Sequence, residues 1–592
     1  LHKAIRRQRQ MCIRDRWKNT TIEERHRIMY TAANNLSEMR GDLIGCMCAV
    51  TGKTVTEGDV EVSEGVDYAR FYTTTMKKFM ALETVEITSK GTILVISPWN
   101  FPCAIPIGGI VAGLAGGNTV ILKPATVAAP VAWLFAKAFW NAGVPKEALQ
   151  VIITDREALK ELTSAPAIRH IILTGGTDTA QSIARTNPST PLSAETGGKN
   201  AIILTASGDR DHAIMNIVAS AFGNAGQKCS ACSLLLVERS VYEDKNFQDK
   251  LKDAATSIKV GSVWEAGNVV GPMITNRNEK LLQALTLEPG ESWLVPPKFI
   301  DEKQYILAPT VKWGVKPGSY SFRTELFGPM LSVVCINNLQ QGIELVNSLD
   351  YGLTSGLQSL DENEQKLWKN SILAGNLYIN RGITGAIVNR QPFGGMKLSA
   401  FGGGVKAGGP NYCACLVKIT DKPESNTDYK QSYPHVYEEE FAHARDINKL
   451  YGEQNAFRYL PLKNMVLRLF PGDSNEEAEM IALAAKLCHT PLTISFDPND
   501  DRTSALSSTG CTLKKETSDE FLKTMRTYER IRTCDTDIPM EMYEEAARRN
   551  KYIATAKPVK NGRVELIHYI KEQSISFEYH RYGSILDVPP VE

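Results

Sequence analysis

The chain has 592 residues, 43% of them apolar and 22% charged, with 67 basic against 66 acidic side chains. That length exceeds what one hydrophobic core serves, so several domains are expected. A net charge of +1 leaves no electrostatic footprint for nucleic acid or an anionic membrane, and the composition is that of an ordinary globular protein.

The 12 cysteines follow no framework spacing, which predicts a reduced, cytoplasmic setting. The chain begins at Leu1 with no secretory core behind it, and a fragment is expected. Residues 1–16 are set apart as an uninterpretable start: Met11-Cys12-Ile13-Arg14-Asp15-Arg16 reads as translated adapter sequence. Helices are predicted over residues 22–50, where Thr21 caps and Ile28, Met29, Ala32 and Leu36 recur at helical spacing, and again from Thr54 to Lys77. The apolar run Gly91–Leu122 is interrupted by Pro98, Asn100, Pro102 and Pro106, so a strand, a loop and a small-residue helix fit it better than a membrane span. Apolar segments of four to six residues then alternate with helical ones: strands at Thr119–Leu122, Leu149–Ile153 and Ile168–Thr174, helices at Pro130–Ala142 and Thr179–Arg185. A second such block runs from Ala201 to about Ala400. This pattern predicts parallel sheets covered by helices on both faces. A strand is expected over Tyr412–Thr420, a linker over Asp421–Asp428, and a further α/β unit beyond residue 440.

The chemistry is placed in two segments. Glu195-Thr196-Gly197-Gly198-Lys199-Asn200 offers a general base, and Gly226-Gln227-Lys228-Cys229-Ser230-Ala231-Cys232 offers a thiol nucleophile in a glycine-containing turn. Cys229 and Cys232 form a C-x-x-C, but no second pair or histidine cluster supports a metal, and none is expected. Asn100, in Ser97-Pro98-Trp99-Asn100-Phe101-Pro102, reads either as a helix-capping turn residue or as an oxyanion donor beside the Cys229 N–H. Lys123 at a strand end reads as a ribose ligand or a surface lysine. Thr174-Gly175-Gly176 opens a helix where pyrophosphate can approach backbone. Glu325-Leu326-Phe327-Gly328-Pro329 offers a carboxylate and an aromatic, or simply closes a strand.

In order and spacing, P-W-N-F-P, K-P-A, T-G-G-T, E-T-G-G, G-Q-K-C, E-L-F-G-P and Q-P-F-G-G resemble the signature segments of the aldehyde dehydrogenase superfamily over about residues 20 to 420. The resemblance implies an α/β fold with a Rossmann-like NAD domain (17–199), a catalytic domain (200–400) and an oligomerisation strand (401–425). It makes Cys229 the nucleophile, Glu195 the base and Asn100 the oxyanion donor, with Trp99, Lys123, Thr174, Gly175, Gly176, Glu325 and Phe327 around NAD. NADP is left open because Thr126 stands where many NAD-specific relatives carry Glu. Thr384 to Val388 and Lys406-Ala407-Gly408-Gly409-Pro410 are similar to the branch that oxidises L-glutamate γ-semialdehyde. There Ser230, Gly385 and Ala386 hold the α-carboxylate, Phe101 and Phe393 pack on the methylenes, and Glu64 is a candidate for the α-ammonium. The tail, 430–592, resembles that of bifunctional proline utilisation proteins, which implies a proline dehydrogenase earlier on the full-length chain, a non-catalytic α/β tail and a homo-oligomer. The alternatives are another semialdehyde dehydrogenase, an acyl-CoA-forming relative, or a structural relative without activity.

Overall fold

The computed structural model describes residues 16–275, 278–303, 305–500 and 502–585. The start set apart above therefore lies outside the described residues except for Arg16. Three helices open the fold: α1 (Ile22–Glu38), α2 (Arg40–Thr51) and α3 (Val55–Met80). Thr21 caps α1 by accepting the Glu24 N–H, as expected. A strand, β1 (Val85–Ser89), follows, then β2 (Thr92–Ser97), α4 (Ala104–Ala115) and β3 (Thr119–Pro124). The interrupted apolar run is thus strand, loop, helix and strand. α4 is buried almost throughout, and no helix among the described residues is long and apolar enough to cross a membrane. Glycines let it pack: a Cβ on Gly113 would lie 2.8 Å from Val120.

With β4 (Leu149–Val151), β5 (Ile168–Thr174) and β6 (Leu192–Glu195), a later two-residue strand, Ala400–Phe401, completes a six-stranded sheet. Its order is Ala400–Phe401, β6, β5, β2, β3, β4, parallel except at the Ala400–Phe401 edge. α5 (Ala129–Asn141) and α6 (Thr177–Thr186) belong to this unit.

The second sheet is built on β7 (Asn200–Leu204) and β8 (Cys232–Glu238), joined by α7 (Arg210–Phe222). Added to them are β9 (Ser292–Val295), β10 (Thr310–Trp313), β11 (Met330–Ile336), β12 (Thr354–Gln358) and β13 (Asn376–Ile379). Two tail strands complete it: β14 (Glu453–Pro461) and β15 (Ile570–Glu578). The order is β14-β15-β13-β12-β7-β8-β11-β10-β9. β15 lies parallel to β13, Asn376 opposite Ser574, and antiparallel to β14. The tail is an α/β unit with its own sheet, and two of its strands also extend the catalytic sheet. Gln573 Nε2 donates to the Ala374 carbonyl (2.8 Å), Ser574 Oγ to the Pro392 carbonyl (2.6 Å) and Arg458 Nη2 to the Lys369 carbonyl (2.7 Å).

The rest of the tail is a five-stranded parallel sheet whose central strand, Met465–Arg468, is its first in sequence. That order is doubly wound. At its crevice, however, Asp473 and Glu477 flank the helix N-terminus, where a phosphate would meet like charge.

A correction falls at 412–420. Tyr412–Leu416 is a 3₁₀ turn, and only Val417–Asp421 is a strand, paired antiparallel with β1 of the same chain. The Tyr412 ring stacks on Tyr72 at 5.1 Å, so the apolar residues pack as a turn.

Candidate active site

The nucleophile turn is held by backbone that few residues tolerate. After α7 ends at Phe222, Asn224, Ala225 and Gly226 all have left-handed φ (53°, 54° and 67°). A Cβ on Gly226 would lie 2.3 Å from the Gly328 carbonyl, so glycine is required there. Gln227 pins the turn by accepting the Ile274 N–H at Oε1 (2.8 Å). Asn200, the last residue of the run Glu195–Asn200, donates from Nδ2 to the carbonyls of Cys229 (2.6 Å) and Ala231 (3.1 Å) and accepts the Thr354 N–H. Lys228 forms an ion pair with Glu57 on α3 at 2.7 Å.

Asn100 faces this turn, its Nδ2 donating to the Gln227 carbonyl at 2.9 Å. An amide carries two N–H groups, so one remains for a substrate oxygen. The loop that carries Asn100 is anchored by a buried ion pair that the motifs did not reveal. Lys53 and Glu61 meet at 2.5 Å, each side chain 1% exposed or less. Glu61 Oε1 accepts the N–H groups of Cys103 (2.7 Å) and Ala104 (3.1 Å) at the start of α4. Lys53 Nζ sits 4.0 Å from the centroid of the Phe101 ring.

Glu195 ends β6, and its Oε2 accepts the Gly395 N–H at 3.1 Å. The Q-P-F-G-G segment thus orients the base as well as carrying Phe393, whose N–H and carbonyl bond to Ala407. Burial pushes the Glu195 carboxyl above its ordinary range, opposed by Lys406 and the Gly395 N–H. Cys229 is partly exposed, and its thiol is pushed up to about 12, first by burial and then by the carboxyls of Glu325 and Glu195. The N–H groups of Ser230 and Cys229 oppose that rise. Cys232 begins β8, buried, its thiol on the Leu234 carbonyl, and both cysteines are free. The C-x-x-C is thus part turn and part strand.

The residues assigned to a dinucleotide gather at the parallel strand ends. Lys123 lies within β3 opposite Ile96, half-buried, its pKa lowered by burial. Thr174 ends β5 opposite Glu195, and Gly176 caps α6. Thr126 is exposed in the turn after β3. Glu325 Oε1 accepts the Gly198 N–H at 2.8 Å, and a Cβ on Gly197 would lie 2.2 Å from Oε2. Trp99 and Phe327 meet edge to face at 5.8 Å. The residues fit a dinucleotide. The Ser97 hydroxyl at the end of β2 is buried with no hydrogen-bond partner among the described residues. Gly175 and Gly176 at the start of α6 carry no side chain to stand between a pyrophosphate and the helix backbone.

Ser230 is buried beside the nucleophile. The Gly385-Ala386 turn follows Ile383, whose N–H donates to Ser220 on α7 (3.0 Å), which ties it to the helix leading to Cys229. Gly385 is exposed, with φ 110°. Glu64 is pushed up to about 8 by burial and by Glu61, which weakens it as a carboxylate partner for an ammonium.

A model of the aldehyde dehydrogenase family matches residues 1–420. The match includes residues 1–16, the start set apart above as uninterpretable. A 1-pyrroline-5-carboxylate dehydrogenase of Geobacillus sp. (strain WCH70) is 33% identical over 419 residues, 67% of this chain and 80% of that protein. One of Bacillus subtilis (strain 168) is 32% identical over 421 residues, 67% of this chain and 81% of that protein. Among solved structures, proline utilization A (PutA) from Corynebacterium freiburgense superposes with a TM-score of 0.85 at 36% identity, covering 98% of this chain. The chain spans 59% of that protein's length. The 1-pyrroline-5-carboxylate dehydrogenase from Thermus with bound NAD gives 0.66 at 31% identity, covering 69% of this chain and 82% of its own.

Proposed function

The chain belongs to the aldehyde dehydrogenase family, and from that premise we propose that it oxidises L-glutamate γ-semialdehyde to L-glutamate with NAD. The observation that carries the reading is that Asn100, just after β2, and Glu195, at the end of β6, both meet the turn before β8 that bears Cys229, Asn100 by a hydrogen bond and Glu195 by its charge on the thiol. The names of the relatives and the Ser230, Gly385 and Ala386 positions support the choice of aldehyde.

In this reading the Cys229 thiolate adds to the aldehyde carbon, and the oxyanion is held by the free Asn100 N–H and the Cys229 N–H. The chemistry NAD would supply there is acceptance of the hydride lost when the adduct becomes a thioester. Trp99, Lys123, Thr174, Gly175, Gly176, Glu325 and Phe327 would hold NAD. Glu195 then takes a proton from water, which attacks the thioester carbon and releases the acid and the thiol. Ser230 and the Gly385-Ala386 N–H groups receive the α-carboxylate, and Phe101 and Phe393 line the methylenes. A proline dehydrogenase unit precedes this part on the full-length chain, and the chain self-associates in the cytoplasm.

Ser230→Ala tests the substrate. It raises KM for the semialdehyde about tenfold, as losing a hydrogen bond to a charged group does, and leaves the weak oxidation of butanal as it was. The measurement is kcat/KM on both aldehydes. Equal wild-type efficiency on butanal and semialdehyde would sink the substrate assignment.

Thr126 is exposed, and in the proposed reading a carboxylate at this position faces the 2′-phosphate of NADP. Thr126→Glu lowers kcat/KM with NADP about tenfold more than with NAD, by like-charge repulsion. An unchanged ratio between the two cofactors would place residue 126 away from the 2′ position.

A further inference from the structure

We propose that Glu572, from the tail strand β15, is a positioning residue for the general base Glu195, acting through Lys406 and the one peptide unit that joins Gly394 to Gly395. The proposal rests on the reading of Glu195 as the base that activates water.

The contacts form a continuous path. Glu572 is 4% exposed. Its Oε2 accepts the Lys406 backbone N–H at 2.6 Å, and its Oε1 accepts Asn411 Nδ2 at 2.7 Å. Lys406 is 1% exposed, and its Nζ donates to Asn376 Oδ1 (2.9 Å) and to the Gly394 carbonyl. The N–H of the same peptide unit, on Gly395, donates to Glu195 Oε2. An ammonium on the carbonyl end of a peptide withdraws charge from it and strengthens the N–H at the other end. The path leaves no room for larger residues. A Cβ on Gly394 would lie 3.1 Å from Glu195 Oε1 and 3.2 Å from Lys406 Cγ.

The electrostatics agree. Burial pushes Glu195 and Glu572 up and Lys406 down, and the three oppose those shifts in one another: Lys406 lowers both carboxyls, and both carboxyls raise Lys406. The other groups facing Glu195 are Cys229, Tyr68 on α3 and Tyr412. Those facing Glu572 are Arg563, Tyr459 and Cys415. Lys406⁺ keeps Glu195 ionised to lower pH, and Glu572⁻ keeps Lys406 charged. Removing either raises the pH at which Glu195 becomes a base.

The test uses p-nitrophenyl acetate, which needs neither NAD nor an aldehyde. Cys229 sulfur attacks the acetyl carbon and p-nitrophenolate leaves in a burst. Water, losing its proton to Glu195, then cleaves the acetyl thioester to acetate and free thiol. In Glu572→Gln the burst amplitude is retained, the acid limb of the steady-state rate moves up by about one pH unit, and the plateau at high pH is unchanged. Lys406→Met moves the limb at least as far, and the double variant no further than Lys406→Met alone. In a Glu195→Gln background, Glu572→Gln is silent. An unmoved limb in Glu572→Gln, or a further loss in the Glu195→Gln background, overturns the proposal. If Glu572→Gln does not yield folded protein, Lys406→Met carries the same two outcomes. Failure of wild type to oxidise the semialdehyde would count against the proposed function alone, because the ester assay reads Cys229 and Glu195 directly.

Discussion

Cys229→Ala abolishes aldehyde oxidation, a loss of about 10⁴-fold or more, while NAD binding stays near wild type. In the proposed reaction the thiol is the covalent acceptor, and its backbone is held by Asn200 whether or not the sulfur is there. Cys232→Ala changes little, because its thiol points into its own strand. If Cys232→Ala alone removed activity, the nucleophile would be misassigned. The thiol pushed up to about 12 gives a companion measurement. Thiolate, the reactive form, is scarce below that value. Alkylation of Cys229 by iodoacetamide in the protein without cofactor is therefore slow at pH 7 and still rising about tenfold per unit at pH 10. Glu195→Gln removes one of the two carboxyls that raise the thiol and speeds alkylation at pH 9 and above, where Glu195 is ionised. A rate that levelled off below pH 9 would contradict this account.

Lys53→Met destabilises the protein by about 3–5 kcal/mol, the cost of leaving a buried carboxylate without its partner. Glu61 would keep only the Cys103 and Ala104 N–H groups, and the loop bearing Trp99, Asn100 and Phe101 would lose its clamp, so activity falls with stability. Lys53→Met/Glu61→Gln recovers part of the loss, because the amide can still accept a backbone N–H and carries no charge. Denaturant unfolding of the two variants beside wild type decides it. A Lys53→Met midpoint indistinguishable from wild type, or a double variant worse than the single, would show that the pair does not hold the loop.

Much of the site was legible because its chemistry is local. A nucleophile in a glycine-containing turn, a carboxylate before Gly-Gly and an Asn at a strand end each announce themselves within a few residues. Asn100 bonds to the Gln227 carbonyl beside Cys229, and the Glu195 carboxyl acts on the Cys229 thiol. The strand and helix alternation over residues 92–204 was legible for a related reason: buried parallel strands need short apolar runs, whatever they pair with. Tyr412–Leu416 misled because periodicity cannot separate an apolar turn packed on Tyr72 from a strand.

By itself, then, the sequence determined the two alternating α/β blocks, the candidate nucleophile and base, and the family they resemble. The tertiary structure alone decided that the tail completes the catalytic sheet through β14 and β15, and that Lys53 pairs with Glu61, Asn200 with the Cys229 carbonyl, and Glu572 with Lys406. All four join segments far apart in the chain or depend on packing that local pattern does not show. A strand's neighbour depends on which sheet edge is left open, not on its own side chains. A buried charge is tolerated only where a partner arrives to meet it, and for Glu572 that partner lies 166 residues earlier in the chain.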